Sequence, residues 1–305
     1  MSAVRPLAIL LLLALATIQS AAQADPPASR TLNGHEFLPS ELVEHPFATS
    51  HFGTITGGGI AFDVKTPFID LEGQEVGTLE GDVAFMALGF RYQQRLASWL
   101  AARFGFIGGA RIGVDEQSVL AQGVTGTYGL QLGGIARILQ TEKVILSGAL
   151  DFTRTDVVGL DPYGFIQRVI EDGLSGDDNN LVAEGSAYST RISALAGWAP
   201  IDWLGTHGFV EVGRGEFTDA ETETLVGGGL AVGADLKDLD LVPIGNQLAG
   251  RTSSVYTGGA DIASRSWSYG LGLYYTGWNQ FSIGFEGAMN TYTRRGEGDD
   301  FESFV

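Results

Sequence analysis

From Ser266 to Tyr275 the chain alternates without interruption: Trp267, Tyr269, Leu271, Leu273 and Tyr275 share one parity, and Ser266, Ser268, Gly270, Gly272 and Tyr274 the other. Side chains of an extended strand point to opposite faces in turn, so this is a strand with one oily face. Thr276-Gly277-Trp278-Asn279 reads as a tight turn. Gln280 to Tyr292 returns with Phe281, Ile283, Phe285 and Met289 opposed to Ser282, Gly284, Glu286 and Asn290, which predicts a hairpin. The register implies that Leu271→Arg is disruptive and that Gly272→Ser on the other face is tolerated.

The same period of two recurs upstream. Asp82 to Tyr92 carries Ala84, Met86, Leu88, Phe90 and Tyr92 on its oily face. Leu100 to Ile112 opposes Leu100, Ala102, Phe104 and Phe106 to Arg103, Gly105 and Arg111. Val124 to Ile138 sets Tyr128, Leu130 and Leu132 against Gly129, Gln131 and Arg137. Val144 to Phe152 opposes Val144, Leu146, Leu150 and Phe152 to Ser147 and Asp151, and Tyr188 to Trp198 opposes Ile192, Ala194, Ala196 and Trp198 to Arg191 and Ser193. Thr54 to Val64, Gly208 to Arg214, Thr224 to Asp235 and Leu241 to Val255 complete the series.

Strands of this length, ~9–13 residues, suit a tilted crossing of a bilayer, whereas soluble strands average nearer 5–6. The connections also alternate. Gln93–Ser98, Leu139–Glu142, Ala199–Gly205 and Gly277–Asn279 are short; Lys65–Glu80, Thr155–Ala187 and Tyr256–Arg265 are long. Tyr92, Trp99, Trp198, Trp203, Tyr275 and Trp278 fall at strand ends, where amphipathic rings suit the headgroup level.

The first 24 residues fit an export signal: Arg5, an apolar stretch from Leu7 to Ile18, and Ala22-Gln23-Ala24 as the cleavage site before Asp25. The expected organisation is a signal peptide over 1–24, an N-terminal extension over 25–51 and a barrel over 52–305. Within the extension, Pro39 and Ser40 can open a short helix over Glu36–Glu44 that Pro46 would stop, on the periplasmic side or in the barrel mouth.

Signal, strand length, turn asymmetry and aromatic ends together make the chain similar to the outer-membrane β-barrel superfamily of Gram-negative bacteria, with porin-like character over roughly Phe52 to Val305. The resemblance implies an all-β, antiparallel up-and-down transmembrane barrel in the cell outer membrane. Twelve strands is the central expectation and ten the alternative, since such barrels carry even numbers. By alternation of turns, Gln280–Tyr292 runs outward and a return strand must follow, yet only Phe301–Val305 remains, too few for a full crossing; a truncated sequence, a short last strand or a strand count off by one are the alternatives.

Composition narrows the chemistry. There is no cysteine, so disulfides and thiolate metal sites are ruled out. The formal charge of -18 argues against nucleic acid as a partner. The acids gather in expected loops, such as Asp172, Asp177 and Asp178, where solvation is the plain reading and cation bridging to lipopolysaccharide the sharper one. Asp177-Asp178-Asn179-Asn180 lacks calcium-loop spacing, and the glycine clusters lack the strand-to-helix setting of a phosphate loop. Of His35, His45, His51 and His207, only His207 falls inside the expected barrel, and no catalytic constellation is readable. No enzyme activity, metal or cofactor is expected.

Charged groups are disfavoured on a lipid face, so Arg103, Arg111, Gln131, Arg137, Arg191 and Glu286 are the candidate lumen-lining residues. They read equally as a solute path or as a salt-bridged plug. The long connection holds Asp161–Gly173, whose N-cap, first-turn proline and apolar stripe predict a short amphipathic helix that caps or enters the lumen, or packs on the loops. The functional expectation is a passive channel for small solutes, with a non-conducting receptor, adhesin or envelope protein as the alternative. The expected partners are outer-membrane lipids, lipopolysaccharide and an unidentified small solute.

Overall fold

A computed structural model describes residues 30–69, 75–114, 118–119, 123–160, 162, 165–166, 180–217, 222–236, 243–257, 261–278, 281–295 and 300–304. A small hairpin, β1 (Thr31–Leu32) and β2 (His35–Glu36), precedes twelve long-range strands. These are β3 (His51–Ile69), β4 (Glu75–Ala97), β5 (Leu100–Gly113), β6 (Val124–Gln140), β7 (Val144–Leu160), β8 (Val182–Ile201) and β9 (Leu204–Phe217). β10 (Glu223–Asp235), β11 (Ile244–Thr257), β12 (Asp261–Trp278), β13 (Phe281–Arg295) and β14 (Asp300–Phe304) complete them. Each pairs antiparallel with its neighbours in sequence, and β14 returns to β3, so the twelve strands form a closed barrel.

The alternation sorts the faces. Leu271 is 64% exposed, Val210 65% and Phe285 85%, and all three lie on the outer face with Trp267, Tyr269 and Ile283. Ser147, Ser193 and Gln247, on the opposite parity of their strands, are buried. A barrel that exposes its apolar residues and buries its polar ones is suited to lipid outside, and its closure rests on five residues of β14, which pair with the end of β13 and meet β3 at one position. The protein is a twelve-stranded antiparallel β-barrel whose outer face suits a lipid surround.

The ladder outlasts the apolar belt. β3 reaches Ile69 and β4 begins at Glu75, so much of the expected long connection Lys65–Glu80 is strand. Likewise β7 runs to Leu160 and β8 starts at Val182, while β11 and β12 narrow the expected connection Tyr256–Arg265. Backbone pairing needs no oily face, which is why hydrophobic alternation ends sooner than the strands do. In the expected helix 161–173 only Pro162, Phe165 and Ile166 are described, and the rest lies outside the described residues, as do Asp177 to Asn179. The closing strand is short: β14 is five residues long and meets β3 through the pair Phe304↔Phe62.

The expected helix over Glu36–Glu44 does not form; past Glu36 the segment is irregular with a bend at 41–43. The Ser40 hydroxyl does accept the amides of Leu42 (3.1 Å) and Val43 (3.3 Å), as a helix opening would. The chain then turns away because the barrel wall supplies other partners for its backbone.

Candidate functional site

Residues 30–50 lie inside the barrel at the end of the short turns, the periplasmic end for a barrel of this kind. The β1–β2 turn uses Asn33 (φ 48°) and Gly34 (φ 85°), both left-handed. Asn33 Nδ2 donates to the carbonyls of Ala199 (3.3 Å) and Pro200 (3.0 Å), which ties the hairpin to the end of β8. Beyond Glu36 the segment has no ladder of its own, so buried carbonyls must be satisfied by side chains. Gln93 Nε2 donates to the carbonyls of Phe47 (2.8 Å) and Thr49 (2.7 Å), Ser147 Oγ to that of Pro46 (2.5 Å), and Gln247 Nε2 to that of Leu38 (3.4 Å). The segment, called the stopper below for its place in the lumen, is clasped by the wall.

Apolar packing fills the space between. Ala101, Ile135, Ala149, Leu195, Phe209, Ala231 and Ala249, from the seven consecutive strands β5 to β11, pack around Val43 and Ala48 of the stopper. A second cluster joins Leu32, Phe37 and Phe47 to Ile145 and Ala199. The two form a dry layer between the stopper and the wall of β5 to β11, while toward β4 and β13 the stopper's contacts are polar.

Every histidine of the chain belongs to this region. His45 Nε2 lies 3.3 Å from His51 Nε2, while His45 Nδ1 accepts the amide of Phe47 (3.3 Å), which leaves the proton on Nε2 and directed at His51. Phe37 stands edge-on to both His35 and His207, with centroids 4.8 and 5.7 Å away. Burial, helped by the charge of His51, pushes the His45 pKa well below the usual imidazole value, so this ring is neutral. His207 thus lies beside the short turn as its sequence position implies, but it is joined by three histidines that strand periodicity could not place in the barrel.

On the long-loop side of the dry layer is a charged one. It follows from strand periodicity, because its residues are two positions along the same inner faces: Arg103 after Ala101, Asp151 after Ala149, Glu211 after Phe209 and Arg251 after Ala249. Arg103 bridges Glu44 of the stopper (2.9 Å) and Asp151 (2.6 Å). Asp151 and Arg191 are cross-strand partners, and Glu211 joins Arg191 (3.6 Å) to Arg251 (2.7 Å). The Arg251 guanidinium lies over the Phe209 ring at 5.3 Å. Arg91 pairs with Glu41 of the stopper at 2.8 Å. Burial raises the pKa of Glu44, but the charge and hydrogen bonds of Arg103 outweigh that, and the net shift is downward.

Glycine on the adjacent strand makes room for these side chains. A Cβ at Gly133 would meet Asp151 Oδ1 at 2.0 Å, one at Gly213 would meet Arg191 Cγ at 2.7 Å, and one at Gly227 would meet Glu211 Oε1 at 2.7 Å. Phe85 lies over Gly59 and Tyr274 over Gly284 in the same way.

The sequence-derived candidates therefore divide. Arg103 and Arg191 join the charged layer. Gln131 lies against Gly105, two residues along β6 from the Gly133–Asp151 pair. Glu286 accepts hydrogen bonds from the Glu41 amide (3.1 Å), Ser40 Oγ (3.4 Å) and Tyr274 Oη (3.3 Å), so it anchors the stopper. Arg137 is near the short-turn rim, bonded to Gln140, apart from the charged layer. Arg111 is exposed near the long-loop end of β5. Glu211 and Arg251 were legible from strand parity but not singled out. Glu41, Glu44 and Arg91 could not be, since their role depends on where the non-periodic segment folds. Among the described residues no three His, Asp or Glu side chains converge as a metal site.

No family model matches the chain, and no curated protein matches it by sequence. Among solved structures, the β domain of the Bordetella autotransporter BrkA is 15% identical, covering 84% of this chain and 96% of its own, with TM-score 0.43. The translocator domain of autotransporter NalP from Neisseria meningitidis is 12% identical, covering 97% and 93%, with TM-score 0.39. LpxR from Salmonella typhimurium is 14% identical, covering 72% and 86%, also with TM-score 0.39. At these values the fold assignment rests on the barrel's own topology and apolar surface.

Proposed function

We propose that this protein is a stoppered outer-membrane barrel, non-conducting at rest, whose outer half is a cup of the receptor or envelope type. The observation that carries this reading is the dry layer from β5 to β11 closed around Val43 and Ala48. Water and ions need a continuous polar path, and this layer interrupts it along the β5–β11 side, where the stopper is seated on the wall. Lipopolysaccharide at the outer rim and a small solute in the cup are the partners the reading implies, with no enzymatic step.

A passive channel is the second reading, favoured by the inward arginines beyond the layer. It requires the stopper to move. Planar-bilayer recording separates the two. Refolded full-length protein should be silent, while Glu41→Arg with Glu44→Arg, which sets like charges against Arg91 and Arg103, should conduct. Steady ohmic steps from the unaltered protein would reject the closed-cup reading.

A further inference from the structure

We infer that Arg191 and Arg251, flanking Glu211, form a binding site for one small oxyanion, a carboxylate or a phosphate, in the outer half of the lumen. The inference rests on the closed-cup reading for its biological setting but not for its chemistry.

Two guanidinium groups share the Glu211 carboxylate here, while Asp151, cross-strand from Arg191, is engaged by Arg103. Glu211 is only 7% exposed at its side chain, whereas Arg191 and Arg251 keep 22% and 29%. The anion already present is buried and the cations face the open side. A planar guanidinium has five donors in a fixed fork, and one carboxylate leaves several unused. Arg191 spends one toward Thr153 Oγ1 at 3.4 Å. Arg251 is held by the Phe209 ring beneath it and by Glu211, so its fork is preorganised.

The surroundings provide further donors. The next inner-face positions toward the long loops are Ser189, Gly213 and Ser253, with Gly227 across from Glu211. Ser253 Oγ pairs with Ser266 Oγ at 2.8 Å, placing two hydroxyls on the wall just beyond Arg251. Hydroxyls beside a preorganised pair of forks with unused donors suit an oxyanion. They offer no apolar pocket for a lipid chain.

The test is calorimetric titration of refolded full-length protein in detergent with citrate, and separately with inorganic phosphate. Binding of either supports the site, and the pattern between the two shows whether carboxylate or phosphate is preferred. Arg191→Gln and Arg251→Gln should each weaken binding at least tenfold. Glu211→Gln should strengthen it severalfold, because it frees both forks. Arg214→Gln, exposed on the outer face, should change nothing. A triad with a purely structural role predicts the opposite sign for Glu211→Gln. No binding of either anion by folded protein, or equal loss in Arg214→Gln, overturns the inference. If Glu211→Gln fails the gel-mobility test for folding, the two arginine variants still decide the matter. A protein that conducts yet binds the anion would sink only the closed-cup reading.

Discussion

Asp151 lies directly over Gly133, so close that a Cβ on the glycine would stand 2.0 Å from the carboxylate oxygen. The absence of one methyl group on β6 thus lets Asp151 lie along the wall and reach Arg103. Gly133→Val should expel the carboxylate and cost about 3 kcal/mol, the scale for breaking a buried ion pair. Gly287→Val, where nothing lies within 4 Å of the added Cβ, should change stability by no more than about 0.5 kcal/mol. Denaturant titrations in lipid vesicles would compare the two.

Leu271→Arg should impair folding into bilayers by about 2–4 kcal/mol, because it puts a charge into hydrocarbon. Gly272→Ser, which strand alternation alone would pass as harmless, should also cost stability. The Tyr274 ring lies 2.5 Å from the added Cβ and has to move. Equal stability of the Leu271→Arg protein and the parent would show that the register is wrong.

Stopper and wall should be coupled through Arg103 and Glu44, 2.9 Å apart. A double-mutant cycle with Arg103→Gln and Glu44→Gln should give a coupling of about 1–2 kcal/mol. Additive effects would mean the pair does not latch the segment.

Acid should loosen the stopper. The folded-state pKa values of His45 and Glu44 both lie below their ordinary values of 6.5 and 4.5. Groups shifted this way contribute fully above the ordinary value, and the contribution is lost as pH falls through the folded one. Protonated His45 would face His51, with Arg30 and Arg103 also repelling it. Bilayer conductance of the full-length protein should therefore appear on acidification. His45→Gln should move the onset to lower pH, and an unchanged onset would remove His45 from the response.

The parts legible in the sequence are those governed by a repeating environment. β12 and β13 alternate because one face meets lipid at every second residue, and that regularity gave their register and the barrel class. Residues 30–50 meet a different neighbour at each position, so no period marks them. Pro39 and Ser40 offered a local helix start, but Gln93, Ser147 and Gln247 recruit the carbonyls of that segment from far along the chain. Arg137 illustrates a subtler limit. Parity correctly separates it from the outward Tyr128 and Leu130, but parity says nothing about height, and Arg137 lies at the rim.

Ser50, the last residue of the stopper, is bonded to His51, the first residue of β3. The segment is therefore a tethered ligand without a spacer. Short tethers give effective concentrations on the order of millimolar or higher. A periplasmic factor that occupied the same clasp in free solution would compete against that standing concentration. On the closed-cup reading, such a factor would have to outcompete the tether before the lumen could open.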